Sequence, residues 1–155
     1  MTNPTDEAHL RVAIDQARQG WDEGGVPIGA ALVRDGEVVA VGRNRRIQLG
    51  SAIRHGETDC IENAGRLPAS VYRECVLYTT LSPCFMCAGT ALLYRIPRIV
   101  VGENHSFEAS EDWLRSHGVQ VDVLDDPECR ALMERMMTER AEIWFEDIGE
   151  IGERA

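Results

Sequence analysis

The sequence predicts an α/β protein: one three-layer α/β/α sandwich around a central mixed sheet of five strands. Three observations carry this reading. The chain has 155 residues, 44% of them hydrophobic, which suits one sizeable core rather than several. Helix-like and strand-like segments alternate from the middle of the chain onward, which places a sheet between helix layers. No repeat, low-complexity block or linker interrupts them, so residues 1–155 read as one domain with 143–155 left over as a C-terminal tail.

The elements follow in chain order. Asp6 to Gln19 sets Leu10, Ala13 and Ala17 on one face, with Thr5 or Asp6 as cap and Gly20 as stop, and predicts an amphipathic helix. Pro27 to Val33 and Glu37 to Val41 are apolar runs separated by Asp35-Gly36, a strong hairpin signal. Arg54 to Ala64 has no internal proline and stops at Gly65, as a helix would. Cys75 to Thr80 is rich in strand formers and ends before Ser82-Pro83. Pro83 then introduces a helix over Cys84 to Tyr94, closed off by Pro97. Arg98 to Gly102 and Val119 to Leu124 read as buried strands, with a short helix over Glu111 to His117 between them, and the last helix covers about Asp126 to Arg140.

Composition excludes several roles. Sixteen Lys and Arg against twenty-six Asp and Glu give a formal charge of −10, which repels polyanions and anionic membranes. No apolar run approaches the roughly 20 residues of a membrane span. The opening residues lack a basic-then-apolar leader profile, and five cysteines are an odd count for a disulfide framework, so the expectation is a cytoplasmic protein whose cysteines are thiols or metal ligands.

The residues that carry chemistry are His55-Gly56-Glu57 and Pro83-Cys84-Phe85-Met86-Cys87, each placed at the start of a predicted helix. Two cysteines three apart on a first turn aim both sulfurs to one side, and the helix dipole and a cation favour their thiolates. Two thiolates and an imidazole suit Zn²⁺, and three protein ligands leave a fourth position for water, as in catalytic zinc sites. Glu57 lies about 200° from His55 on a regular helix, so it fits proton transfer beside the metal better than ligation. A structural zinc with Cys60 or Cys75 as fourth ligand, or a thiol redox pair, is the competing reading. The order H-x-E then P-C-x-x-C is a signature of zinc deaminases, in which the glutamate is general acid and base.

At these residues the sequence resembles the cytidine deaminase-like superfamily, and within it the fungal, yeast-type cytosine deaminases. The likeness runs through Glu23 to Gly29, Gly50-Ser51-Ala52, Glu62-Asn63, Gly65-Arg66-Leu67, Leu77 to Cys84, Ile96-Pro97-Arg98, Val100 to Asn104, and the terminal Trp144 to Glu150. The resemblance implies a cytidine deaminase-like fold and one zinc per subunit on His55, Cys84 and Cys87. It also implies a Glu57 that moves a proton from the activated water to pyrimidine N3 and then to the leaving amino group, turning cytosine into uracil and ammonia in pyrimidine salvage.

Further contacts are implied in the same way. The Asn44 side chain and Gly56 N–H would meet the ring carbonyl, the Ser82 carbonyl the amino group, and Asp147 the N1–H. Ile28, Phe107 and Trp144 would form the apolar and stacking walls, the tail 143–155 would close the site, and a homodimer would pack through helices near it. A carboxylate on N1–H disfavours nucleosides, whose N1 carries the sugar. The sequence departs from the fungal pattern at Thr58-Asp59-Cys60 and Ile47. Asp59, four residues after His55, is placed to support or approach that ligand, a salt-bridged or solvated acid being the plainer alternative. Another amino-heterocycle (isocytosine, a pterin, a purine base, a creatinine-like ring) stays open as substrate. A tRNA adenosine deaminase is disfavoured by the acidic C-terminus, and a non-catalytic zinc module by the presence of Glu57.

Overall fold

In the computed structural model, residues 4–151 are described. The elements are α1 (Pro4–Asp22), β1 (Gly29–Arg34), β2 (Glu37–Arg43), α2 (Arg46–Leu49), α3 (Gly56–Ala64), α4 (Ala69–Tyr72), β3 (Cys75–Leu81), α5 (Phe85–Leu93), β4 (Arg98–Glu103), α6 (Glu111–Ser116), β5 (Gln120–Val123), α7 (Pro127–Glu139) and α8 (Ala141–Asp147). Every predicted element is present. Three short helices, α2, α4 and α8, of four, four and seven residues, were not foreseen.

The strand order is β2-β1-β3-β4-β5. β1 pairs antiparallel with β2 and β3, whereas β3, β4 and β5 run parallel, so the five-stranded sheet is mixed as expected. The β1–β2 turn places Asp35 at φ 51° and Gly36 at φ 77°, the paired left-handed conformations that an Asp-Gly hairpin supplies. α5 and α6 make the crossovers to β4 and β5.

Alternation along the strands sends side chains into two cores. On one face Leu77, Ile99 and Val101 pack against Cys60 and Ile61 of α3, Ala88 and Ala91 of α5, and Leu114 of α6. On the other, Ala31, Val33, Tyr78 and Val100 pack against Leu10, Ala13 and Ile14 of α1 and Cys129 of α7. Three layers result. Two glycines let helices close on the hairpin: a Cβ at Gly29 would lie 2.0 Å from the Ala13 carbonyl oxygen, and one at Gly42 would lie 2.2 Å from the Cys60 nitrogen.

Some boundaries differ from expectation. α1 runs past Gly20 to Asp22 because Trp21, with the Arg135 and Arg140 guanidinium groups over its ring, prolongs the buried stripe. Asp6 is no cap; it is buried within α1 and accepts hydrogen bonds from Tyr78 and Arg98. α7 begins as predicted, with Asp126 accepting from the Glu128 and Cys129 N–H groups at 2.9 and 3.1 Å.

The topology gathers one end of the sheet into a site. The carboxyl ends of parallel strands β3 and β4 release Ser82 and the loop holding Phe107. β1 runs the opposite way, so Ile28 precedes it at that same end, and Asn44 follows β2 where Arg43 pairs with Gly29.

Candidate active site

His55 and Cys84 occupy equivalent positions. Each is the residue capping a nine-residue helix, with extended backbone at φ −68°, ψ 171° and φ −70°, ψ 171°. Both predicted helices thus begin one or two residues later than read from sequence, and the ligand candidates stand at their mouths. Cys87 sits on the first turn of α5, fully buried.

The three donors converge. His55 Nδ1 lies 3.4 Å from Cys84 Sγ and 3.7 Å from Cys87 Sγ, and the three ligand atoms all lie within 4.8 Å of one another. Zinc–sulfur bonds of about 2.3 Å and a zinc–nitrogen bond of about 2.0 Å at tetrahedral angles place sulfur and nitrogen about 3.5 Å apart, so the donor set fits the ion. The other ring nitrogen, Nε2, lies 3.1 Å from the Asp147 carbonyl oxygen, which fixes the ring with Nδ1 toward the thiols. Among the described residues no fourth donor joins this group. Cys60 and Cys75, the candidates for one, are packed in the core, where their thiols face the carbonyls of Ala40 and Val71.

The three donors do not share one protonation state: Cys84 ionises readily, whereas His55 and Cys87 hold protons that a metal must displace. Hydrogen bonding from Cys87 holds the Cys84 thiol at about 4 against the opposing effect of burial, with His55 adding to it. Burial pulls the His55 imidazole down, but its hydrogen bond to Cys84 and the charges of Asp147 and Glu57 outweigh this and leave it at about 9. Hydrogen bonding to Cys84 and burial raise Cys87 well above its ordinary range. Burial first, and then the Cys84 thiolate, push the Glu57 carboxyl up to about 7.

A cavity of about 280 Å³ opens beside the three donors, lined by Ile28, His55, Glu57, Leu81, Ser82, Cys84, Phe107, Trp144, Asp147 and Ile148. Most residues singled out from sequence are therefore together. Phe107 and Trp144 meet edge to face, their ring centroids 6.0 Å apart. Ser82 is oriented by its hydroxyl, which donates to Glu111 at 2.6 Å, while its N–H donates to the Glu103 carbonyl at 3.0 Å.

Asn44 and Gly56 stand behind the lining. Asn44 is fully buried; its Nδ2 donates to Asp147 Oδ1 at 2.9 Å and its Oδ1 accepts from the Arg46 N–H at 3.2 Å. Gly56 backs onto Ile28, where a Cβ would lie 3.1 Å from the Ile28 carbonyl oxygen. Asp147 ends α8, and its carboxylate is also 3.3 Å from Arg46 Nη1 and 3.4 Å from His55 Nε2.

Asp59 is the salt-bridged acid of the plainer reading: its N–H donates to the His55 carbonyl at 2.8 Å, but its buried carboxylate turns to Arg45, Arg54 and the Arg43 N–H. Sequence reasoning missed Leu81 and Ile148 in the lining, although both lie inside runs quoted for the resemblance. It also missed Arg46, whose guanidinium grips Glu146 through two contacts of 2.7 Å and holds α8 in place.

Residues 3–103 match the family model for the cytidine and deoxycytidylate deaminase zinc-binding region. The chain belongs to this family. It is 49% identical over 146 residues to a cytosine deaminase of Candida albicans, covering 94% of this deaminase and 97% of that protein. It is 34% identical over 125 residues to a tRNA-specific adenosine deaminase of Aquifex aeolicus, covering 78% and 77% of the two chains. In fold it is similar to a guanine deaminase of Nitrosomonas europaea, with a TM-score of 0.69 at 23% identity, covering 87% and 85% of the chains. The deaminase is thus a zinc enzyme of hydrolytic deamination, with His55, Cys84 and Cys87 as the group able to hold the metal. No helix of the described residues is long and apolar enough to cross a membrane.

Proposed function

We propose that this deaminase converts free cytosine to uracil and ammonia, as one domain that acts as a homodimer in the cytoplasm, with no nucleic-acid partner. Such a reaction belongs to pyrimidine salvage. The observation that carries the reading is Asp147, a buried carboxylate in the cavity wall with the Asn44 amide against it. The similarity to the Candida albicans cytosine deaminase supports it.

A zinc ion held by His55, Cys84 and Cys87 supplies a Lewis acid that makes bound water acidic near neutral pH. The chain does the rest. Glu57 takes a proton from the attacking water and passes it to ring N3, then takes the remaining proton from the hydroxyl now on C4 and delivers it to the amino group, which leaves as ammonia when the C4–N bond breaks. The Ser82 carbonyl accepts from that amino group, the residue being anchored through its side-chain hydroxyl, which donates to Glu111. An amide nitrogen carries two hydrogens, so Asn44 gives one to Asp147 and has one for the ring carbonyl, which the Gly56 N–H also meets. Asp147 Oδ1 is engaged by Asn44 and Arg46, and Oδ2, 3.4 Å from His55 Nε2, is the oxygen offered to N1–H. Ile28, Phe107 and Trp144 enclose the ring, and the segment from 143 onward closes the site; of that tail, residues 152–155 lie outside the described part.

A sugar on N1 removes the hydrogen Asp147 accepts and meets the Trp144 wall, so the free base is the substrate. The test is ammonia release by the zinc-loaded protein from cytosine, cytidine, isocytosine, guanine and a pterin. Turnover of cytosine with cytidine inert is expected, and comparable rates on both would overturn the pocket assignment.

A further inference from the structure

Resting on the Asn44 contact above, we propose that Asp59 is a positioning residue that sets the Asn44 amide against the substrate and so governs how tightly the base is held. Asp59 lies on α3, two residues beyond Glu57, and is fully buried. Its one carboxylate serves three segments. Oδ2 accepts from the Arg43 N–H at 3.0 Å and from Asn63 Nδ2 at 3.3 Å. Oδ1 accepts from Arg45 Nε at 2.9 Å and from Arg54 Nε at 2.7 Å.

The positions of these donors matter. Arg43 and Arg45 are the two neighbours of Asn44, and Arg54 immediately precedes His55. A single buried anion therefore pins both sides of the residue proposed to meet the ring carbonyl, and ties that stretch to the helix carrying Glu57 and to the residue before the metal ligand. The close approach of Gly42 to the backbone of Asp59 and Cys60 brings the strand end within reach. Past Arg45 the chain runs into α2, which has no buried residue and holds Asn44 only through polar contacts, the Arg46 N–H on its Oδ1 at 3.2 Å and the Gln48 amide on its carbonyl at 3.2 Å.

A buried acid between two guanidinium groups is weak evidence for stability, because desolvation offsets much of the attraction; what it fixes well is geometry. Asn44 needs that geometry, since its amide must keep one hydrogen on Asp147 and aim the other. Misplacing such a group weakens substrate binding while Glu57 and the three donors stay where they are.

The test is a double-mutant cycle between Asp59→Asn and Asn44→Ala in zinc-loaded enzyme, with cytosine as substrate. Asp59→Asn should keep one zinc per chain, hold kcat within about threefold, and raise KM by about tenfold. In the Asn44→Ala background the same substitution should change KM by less than about twofold, because the group it positions is gone. Additive effects on KM, or a fall in kcat at constant KM, would overturn the proposal. Should Asp59→Asn fail to fold, Arg45→Gln replaces it in the cycle with an expected rise of about threefold and the same criterion of non-additivity. If Asn44→Ala alone leaves KM unchanged, or cytosine is not turned over, the assignment of Asn44 fails; if Asn44→Ala raises KM and Asp59→Asn does not, only the positioning role fails.

Discussion

Glu57 is 4% exposed, and burial pushes its carboxyl above the ordinary carboxylate range, toward the pH at which it must both hold and give up a proton. A glutamine there keeps the size and much of the hydrogen bonding but exchanges no proton. Glu57→Gln should therefore lower turnover of cytosine by about 10²–10⁴-fold, the usual contribution of general acid–base catalysis, while metal analysis still finds one zinc per chain. A variant that is zinc-loaded and fully active would remove Glu57 from the chemistry. The residue scale is also where the sequence was most and least legible. His55, Glu57, Cys84 and Cys87 were readable because the metal restricts both residue type and spacing, and the helix starts beside them were signalled by Pro83. For Asp59 spacing could not choose between a partner of His55 and a salt-bridged acid; the fold decides it by bringing Arg45 and Arg54 onto the carboxylate.

At the level of elements, one ion-paired cluster joins α1 to the sheet. Asp6 accepts from Arg98 at 3.0 and 2.7 Å and from the Tyr78 hydroxyl at 2.7 Å, and Arg98 Nε donates to Asp122 of β5 at 2.8 Å. Hydrogen bonding from Arg98, against the opposing effect of burial and aided by Tyr78, holds the Asp6 carboxyl below its ordinary 3.8. Its contribution to stability is present above that ordinary value and is lost as the pH falls through the lowered one. Asp6→Asn should cost about 2–3 kcal/mol at neutral pH, toward the lower end for a broken buried pair because Arg98 keeps Asp122. Urea unfolding of both proteins should show that gap narrowing as the pH falls below the ordinary 3.8; a gap independent of pH would mean that packing alone is lost. The strands and long helices were legible because their apolar positions repeat at the proper period over enough residues. α8 was not, since seven residues offer two turns, and Asp147 within it looks in sequence like one acid among Glu146 and Glu150. The resemblance singles it out, and the fold adds that it is buried against His55 and Asn44 and contacted by Arg46.

For the whole molecule the question is whether the metal makes the fold or only completes the site. In small zinc domains the ion replaces a hydrophobic core, and its removal unfolds them. Here the sheet is covered on both faces by apolar clusters built from Leu10, Ile14, Leu32, Leu77, Ile99, Val100 and Leu114, all at most 1% exposed and none of them in the lining of the cavity. Stability on the order of 0.05–0.15 kcal/mol per residue follows from such cores without a metal term. Zinc then adds only what linkage gives, about 2.7 kcal/mol at a hundredfold excess over Kd and more when binding is tighter. For a domain of this size each kcal/mol moves Tm by about 2–4 °C. Removing zinc with a chelator should thus abolish turnover and lower Tm by at least about 5 °C, with far-ultraviolet circular dichroism and a single cooperative transition retained. Returning zinc should restore both activity and Tm. Loss of helical signal on chelation at 25 °C would instead place the three ligands among the determinants of the fold, and the two apolar cores would have to be judged insufficient on their own.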